Sequence, residues 1–234
     1  MEKSIVLKVG GSVLYDNMLN VNEVLLKKVK DWYFDVSAQY DKIVIVVGGG
    51  TLSRDLQKKI SASIGGEEYL HNIGMSVTQT NAAVIHGYIE DPNIFVPQKL
   101  GDAYEFLWEE GKRVIITGGL KVGWSTDMDA AVFADMLGID KIYKISNISH
   151  LYEQDPSLDP NAQIVKDISW DQYFDMFNIL DDSVHKANNN IPIDIECARF
   201  CSRKSISFFI SGGKYIYEKE SIKDILTDGT LIHP

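Results

Sequence analysis

Three short apolar runs in this 234-residue chain each stop on a cluster of glycines. Ile5 to Val9 ends at Gly10-Gly11, Ile43 to Val47 at Gly48-Gly49-Gly50, and Val114 to Thr117 at Gly118-Gly119. Apolar residues on consecutive positions mark strands covered on both faces, which occur mainly in parallel sheets flanked by helices. After the first run, Val21, Leu25, Val29, Trp32 and Val36 recur at helical spacing and predict an amphipathic helix over roughly 21–38. Beyond Gly65-Gly66, the residues Leu70, Ile73, Val77, Val84 and Tyr88 predict another. Ala130 to Leu137 reads as a helix, Lys141 to Ile145 as a strand, and Ile206 to Ile210 as a late strand. Strands alternating with helices imply right-handed crossovers. The expected fold class is therefore α/β, a three-layer α/β/α sandwich with a largely parallel central sheet. No repeat, low-complexity tract or linker divides the chain, so 1–234 reads as a single domain. The stretch from Asp155 to Pro160 reads as a loop.

Charge narrows the partners. Against 33 Asp+Glu there are 23 Lys+Arg, a net charge of −10, which argues against nucleic acid or a membrane surface as a partner. A local basic pocket for a phosphorylated small molecule stays open. No apolar run reaches the length of a membrane span, and the start runs directly into a strand, leaving no room for a signal peptide. Cys197 and Cys201 are too few for a disulfide framework, which favours a reducing, cytoplasmic setting. They share a helix face and read as core-packed thiols.

Ligands of open α/β sheets bind beyond the carboxyl ends of the strands, where these glycines fall. Glycine lets the backbone approach a phosphate closely and present its N–H groups, and a following helix adds the positive end of its dipole. The common nucleotide signatures are absent: there is no Gly-x4-Gly-Lys-Ser/Thr, and Gly48-x-Gly50 lacks the third glycine of a dinucleotide fingerprint. Nor is there a Cys-x2-Cys pair, a His-Glu-x2-His or a Gly-x-Ser-x-Gly, so no metal site is expected.

Four segments occur in a telling order: Lys8-Val9-Gly10-Gly11-Ser12, Val46-Val47-Gly48-Gly49-Gly50, Gly118-Gly119 followed by Gly123-Trp124-Ser125-Thr126-Asp127, and Ser146-Asn147 followed by Tyr152-x2-Asp155-Pro156. Together they resemble the amino acid kinase family, most closely its UMP kinase branch. Ile73-Gly74-Met75 with Thr78 and Asn81-Ala82, Ile193-Asp194-Ile195, and Gly229-Thr230-Leu231-Ile232 extend the resemblance over nearly the whole chain.

The resemblance implies ATP-dependent phosphoryl transfer to UMP, with Mg2+ carried by ATP, in a homohexamer. It implies an acceptor part mainly in 1–140 and an ATP part mainly in 141–234. Lys8 would neutralise the transferred phosphoryl group, Asp127 would orient that lysine, and Gly10, Gly11 and Ser12 would cradle the ATP phosphates. Gly49, Gly50 and Arg54 would lie between donor and acceptor. Leu120, Lys121, Gly123, Trp124, Ser125 and Thr126 would hold the acceptor phosphate, and Ser146, Asn147, Tyr152 and Asp155 the adenine and ribose. Asp127 is also expected to cap the helix it opens. Arg54 is by default a surface charge, raised by its place four residues after Gly50. Asp129 and Asp135 read as solvated acids.

Three positions depart from the family pattern. His71 stands where an Asp contacts the acceptor ribose, Ser149-His150 replaces Asp-Gly beside the nucleotide loop, and Trp124 sets an indole beside the acceptor phosphate. Two alternatives follow. One is a kinase of this fold acting on another small phosphate or acid. The other is a molybdate- or tungstate-storing nucleotide-binding protein, since the molybdenum storage protein is also similar.

Overall fold

The first two strands pair as read from the sequence: β1 (Ser4–Val9) and β2 (Lys42–Val47) run parallel, with Ser4 opposite Lys42 and Val9 opposite Val47. This computed structural model describes residues 3–154, 159, 161–179 and 191–234. Between the two strands lies α1 (Glu23–Ser37), opened by Asn22, whose side chain accepts a hydrogen bond from the Leu25 amide. Two helices, α2 (Gly50–Ile60) and α3 (Glu67–Ile89), lead to a short strand β3 (Ile94–Phe95). Then come α4 (Leu100–Trp108), β4 (Arg113–Thr117), α5 (Thr126–Met136) and β5 (Lys141–Ser146). The ribbon β6 (Leu151–Tyr152) with β7 (Ile164–Val165) precedes β8 (Asp167–Ser169), α6 (Trp170–Met176) and α7 (Ile195–Lys204). The chain closes with β9 (Ser207–Gly212), α8 (Tyr215–Glu218), α9 (Ile222–Ile225) and β10 (Thr230–His233).

Eight strands form one sheet in the order β3-β4-β2-β1-β5-β9-β10-β8, parallel in every described pairing except β9 with β10. Val6, Val44, Val46 and Ile142 face Ala130, Phe133, Cys197 and Cys201, from α5 and α7. On the opposite face Leu7, Val9, Ile43 and Ile45 pack on Leu25, Val29 and Trp32 of α1 and Ile85 of α3. The α/β/α sandwich is thus present, with β1 and β2 buried on both faces. Each such apolar side chain contributes about 1.5–3 kcal/mol on burial.

Topology sets where a ligand can enter. From β1 the chain moves outward to β2, then returns from β4 across the sheet, through α5, to β5 on the other side of β1. Helix α1 therefore covers one face and α5 the other, leaving a crevice beyond the carboxyl ends of β1 and β5.

The structure revises some boundaries. Helix α5 starts at Thr126 rather than Ala130, because the Ser125 hydroxyl accepts from the Met128 amide and caps it. Asp127 sits inside the first turn and is not the cap. In α3 the buried residues are Gly74, Val77, Thr78, Asn81, Ala82, Ile85 and Ile89, so the face is turned from the apolar stripe read in the sequence. Strands β3, β8 and β10 have four residues or fewer and carry little periodicity.

Candidate active site

Alternation along β1 puts Lys8 on the same face as Val6, and along β5 puts Lys144 on the same face as Ile142. The two lysines are register partners on neighbouring parallel strands. Both are buried, and so is Asp127, which the first turn of α5 lowers between them. Lys8 Nζ lies 3.1 Å from Asp127 Oδ1, and Lys144 Nζ donates to Asp127 Oδ2 at 2.6 Å. Lys144 also donates to the Pro192 carbonyl at 2.6 Å, just ahead of α7.

Burial pushes the Lys8 ammonium down to about 8, with Asp127 pulling it back up and Lys144 pressing it down further. Burial also pushes the Asp127 carboxyl up, but Lys144 and Lys8 together outweigh it and hold that carboxyl below its usual range. Two cations and one anion in a desolvated corner leave a net positive charge, so this corner can receive an anion.

The glycine loops form the floor. The Gly10 amide donates to the Ile145 carbonyl at 2.8 Å and the Gly48 amide to Val9 at 2.9 Å, so the ends of β1, β2 and β5 are laced together. Gly11 and Gly50 stand back to back: a Cβ on Gly50 would fall on the Gly11 and Ser12 backbone, and Gly50 has φ +61°. Glycine is required here by both space and dihedral. Asn81, fully buried, donates from Nδ2 to the Gly48 carbonyl at 2.8 Å and accepts from the Tyr15 hydroxyl at 3.0 Å. Beyond the end of β4, the Gly119 amide donates to Thr78 Oγ1 at 2.7 Å, and Gln79 Nε2 donates to the Gly119 carbonyl at 2.8 Å.

A family model for the amino acid kinase family matches residues 3–211. The chain belongs to the amino acid kinase family. A uridylate kinase of Thermococcus onnurineus is 29% identical over 231 residues, covering 98% of this chain and 99% of the relative. The crystal structure of the uridylate kinase from Archaeoglobus fulgidus superposes with a TM-score of 0.73 at 25% identity, covering 99% of this chain and all of that one. The UMP kinase from Ureaplasma parvum, at 18% identity and a TM-score of 0.71, shares the fold over both full lengths.

Within this family fold, the expected site residues divide into those the structure gathers and those it leaves apart. Ser12 and Asn147 line an open cavity of about 610 Å3 with Tyr15, Gly213, Lys214 and Tyr217, within the size range of small-molecule sites. Ser146 is buried, its hydroxyl donating to Asn147 Oδ1 at 3.3 Å and its carbonyl accepting from the Gly213 amide at 2.8 Å. Tyr152 is half-buried in β6. Leu120 is buried, whereas Lys121 and Gly123 are exposed in a turn where the Trp124 amide donates to the Lys121 carbonyl. The Lys121 ammonium sits 4.2 Å from the Trp124 ring centroid, and Ser125 and Thr126 open α5 behind that turn. Gly49 opens α2 at the end of the β2 loop.

Arg54 is exposed on α2, with a hydrogen bond to Thr51 Oγ1 at 3.3 Å, and is not part of the Lys8–Asp127 cluster. His71 is exposed near the start of α3. Asp155 lies outside the described residues. Asp129 is a correction: instead of a solvated acid it is fully buried, with neither oxygen in a hydrogen bond of good geometry among the described residues. Burial raises its carboxyl to about 7, against the pull of the Leu120 amide and with a further push from Asp194. Asp135 pairs with Lys204 at 3.0 Å.

His150 is buried, with Nε2 3.2 Å from Asp228 Oδ1, and Asp228 Oδ2 accepts from the Tyr215 hydroxyl at 2.8 Å. Sequence reading missed Lys144, although a lysine on the inward face of a strand was a signal: such a charge is paired or functional.

Proposed function

We propose that this chain transfers the γ-phosphoryl group of ATP to UMP, giving UDP and ADP, as a nucleoside monophosphate kinase. The observation that carries this reading is the pair Lys8 and Lys144, clamped on one buried carboxylate at the switch point of an amino acid kinase sheet. The names of the similar proteins support UMP as acceptor, and their similarity extends over nearly their full length.

Phosphoryl transfer needs positioning and charge stabilisation more than covalent catalysis. Asp127 holds both ammonium groups at fixed positions before substrate arrives, so little reorganisation is left for the reaction. Lys8 and Lys144 would then meet the charge spreading over the equatorial oxygens of the moving group. Amides of the Gly10–Ser12 and Gly48–Gly50 loops would bind the flanking phosphates, and the Leu120–Thr126 turn the acceptor phosphate. Ser146, Asn147, Tyr152 and Asp155 would hold the adenosine. By the same resemblance, Mg2+ would arrive on the nucleotide. Mg2+ carried by ATP would supply positive charge that offsets the charge of the phosphates. In this reading 1–140 supplies mainly the acceptor part and 141–234 mainly the ATP part of one domain. The protein works as a cytoplasmic homohexamer in pyrimidine biosynthesis. No described helix is long and apolar enough to cross a membrane.

The test is ADP release with Mg-ATP against UMP, CMP, AMP, dUMP and small phosphorylated acids, with Lys8→Ala alongside. Turnover on UMP that disappears in the variant is expected. Turnover on another acceptor alone would move the substrate and point to His71 and Trp124. No turnover on any acceptor would overturn the kinase reading.

A further inference from the structure

The proposed chemistry leaves Tyr15 without a role, although its hydroxyl reaches toward the glycine loop that borders Lys8. That hydroxyl donates to Asn81 Oδ1 at 3.0 Å, and Asn81 Nδ2 donates to the Gly48 carbonyl at 2.8 Å. We infer that Tyr15 is a positioning residue, which through Asn81 fixes the Gly48–Gly49 peptide beside Lys8 and ties it to the cavity wall; the role rests on the kinase reading. Tyr15 stands outside every motif that carries the family resemblance.

The loop needs a tether because it cannot supply its own. Gly48, Gly49 and Gly50 have no side chains, and glycine has the widest backbone freedom of any residue. A Cβ on Gly48 would lie 3.0 Å from the Gly11 nitrogen, 3.2 Å from Lys8 Nζ and 3.4 Å from Thr126 Oγ1. A side chain there would crowd the proposed catalytic lysine, so the loop is held from outside. The Gly48 amide donates to the Val9 carbonyl at 2.9 Å, and the Gly48 carbonyl accepts from Asn81. A trans peptide points its C=O and N–H in opposite directions. A Gly48 carbonyl fixed on α3 therefore turns the Gly49 N–H away from that helix.

Asn81 in turn depends on Tyr15. The carboxamide is fully buried, and a buried acceptor left without a donor costs more than the bond itself contributes. Remove the hydroxyl and Oδ1 is bare; the carboxamide then swings toward another donor and slackens its hold on Gly48. Burial raises the Tyr15 hydroxyl above the ordinary tyrosine range, which keeps it a donor in alkaline buffer. The residue also sits on a stiff support. Tyr15 pairs with Val21 in an antiparallel bridge, and the Asn22 amide donates to the Leu14 carbonyl at 2.8 Å. The Asp16 carboxylate accepts from the Met18 and Asn20 amides at 2.8 and 2.9 Å. Tyr15 lines the cavity that Ser12 and Asn147 share, so a ligand filling that cavity meets the residue that sets the loop.

The test compares the full chain with Tyr15→Phe, which removes only the hydroxyl, and with Asn81→Ala alone and combined with it. The readouts are amide hydrogen exchange across 48–53 and ADP release with Mg-ATP and UMP. In Tyr15→Phe the Gly48 and Ser53 amides, bonded to the Val9 and Gly49 carbonyls, should exchange about 10-fold faster while β1 and β5 keep their protection. The kcat should fall about 10-fold, with KM for either substrate moving less than about twofold. Adding Tyr15→Phe to Asn81→Ala should cost nothing further, since the hydroxyl acts through the carboxamide. If Asn81→Ala does not fold, Asn81→Ser takes its place. Unchanged exchange across 48–53, faster exchange throughout the chain, an unchanged kcat or additive losses in the double variant would each overturn the assignment. Exchange is read without turnover, so an inactive wild type would count against the kinase reading while exchange alone still decides the role of Tyr15.

Discussion

Lys8 and Lys144 face each other in register on adjacent parallel strands and share the two oxygens of Asp127, at 3.1 and 2.6 Å. One carboxylate cannot neutralise two ammonium groups. The surplus positive charge is held where water is scarce and the crevice opens, so in the proposed reaction an incoming phosphate would find a fixed cationic clamp at little reorganisation cost.

Removing one arm of the clamp should cost catalysis more than binding. Lys144→Met is expected to lower kcat about 10²–10³-fold with a smaller change in KM, the range found when one preorganised donor is lost. Asp127→Asn should abolish turnover and also destabilise the fold by about 3–5 kcal/mol, because two buried lysines lose their partner. Steady-state ADP release together with denaturant unfolding measures both effects.

The lowered Lys8 ammonium predicts an alkaline limb. With a pKa of about 8 in the free protein, Lys8 is charged below that value and loses its proton above it. Accordingly kcat/KM for ATP should fall as pH rises through about 8. Bound phosphates favour the charged form, so the corresponding limb of kcat should lie at higher pH. A pH profile that stays flat to 9.5 would contradict this assignment.

Asp129 should make stability fall as pH rises. Its carboxyl is raised from 3.8 to about 7, so the folded state holds a proton that the unfolded chain has released. Rising pH between those values therefore favours unfolding, by up to about 4 kcal/mol at 1.36 kcal/mol per unit. Asp129→Asn should remove that slope, gaining stability at pH 8 and matching the wild type near pH 4. Urea unfolding at the two pH values decides the matter.

His150 anchors the loop after β5 to Asp228. Substituting it with alanine leaves a cavity and removes the Nε2 contact, for an expected loss of about 2–4 kcal/mol. Since Asn147 lies on the same loop, KM for ATP should rise more than kcat falls. A kcat loss without a KM change would show that His150 acts on the chemistry and not through the nucleotide loop.

The glycine clusters, the buried runs of β1, β2 and β4, and the spacing of α1 were legible in the sequence because burial on both faces of a strand and on one face of a helix leaves a periodic mark. Lys8 and Asp127 were legible through the motifs that carry the family resemblance, and the thiols on α7 through their four-residue spacing. Lys144 was not singled out, although it stands on a strand that was correctly read, because its meaning comes from register with a strand 136 residues earlier in the chain. Asp129 was misread because two acids in one helical turn look alike in sequence. Only the packing of α5 against the sheet and the Gly119–Leu120 turn buries both and, among the described residues, gives Asp127 two cations and Asp129 none. Sequence by itself determined which segments bury and where phosphate-seeking glycines fall. Tertiary structure decided which charges meet, since electrostatic partners depend on distance through space and not along the chain.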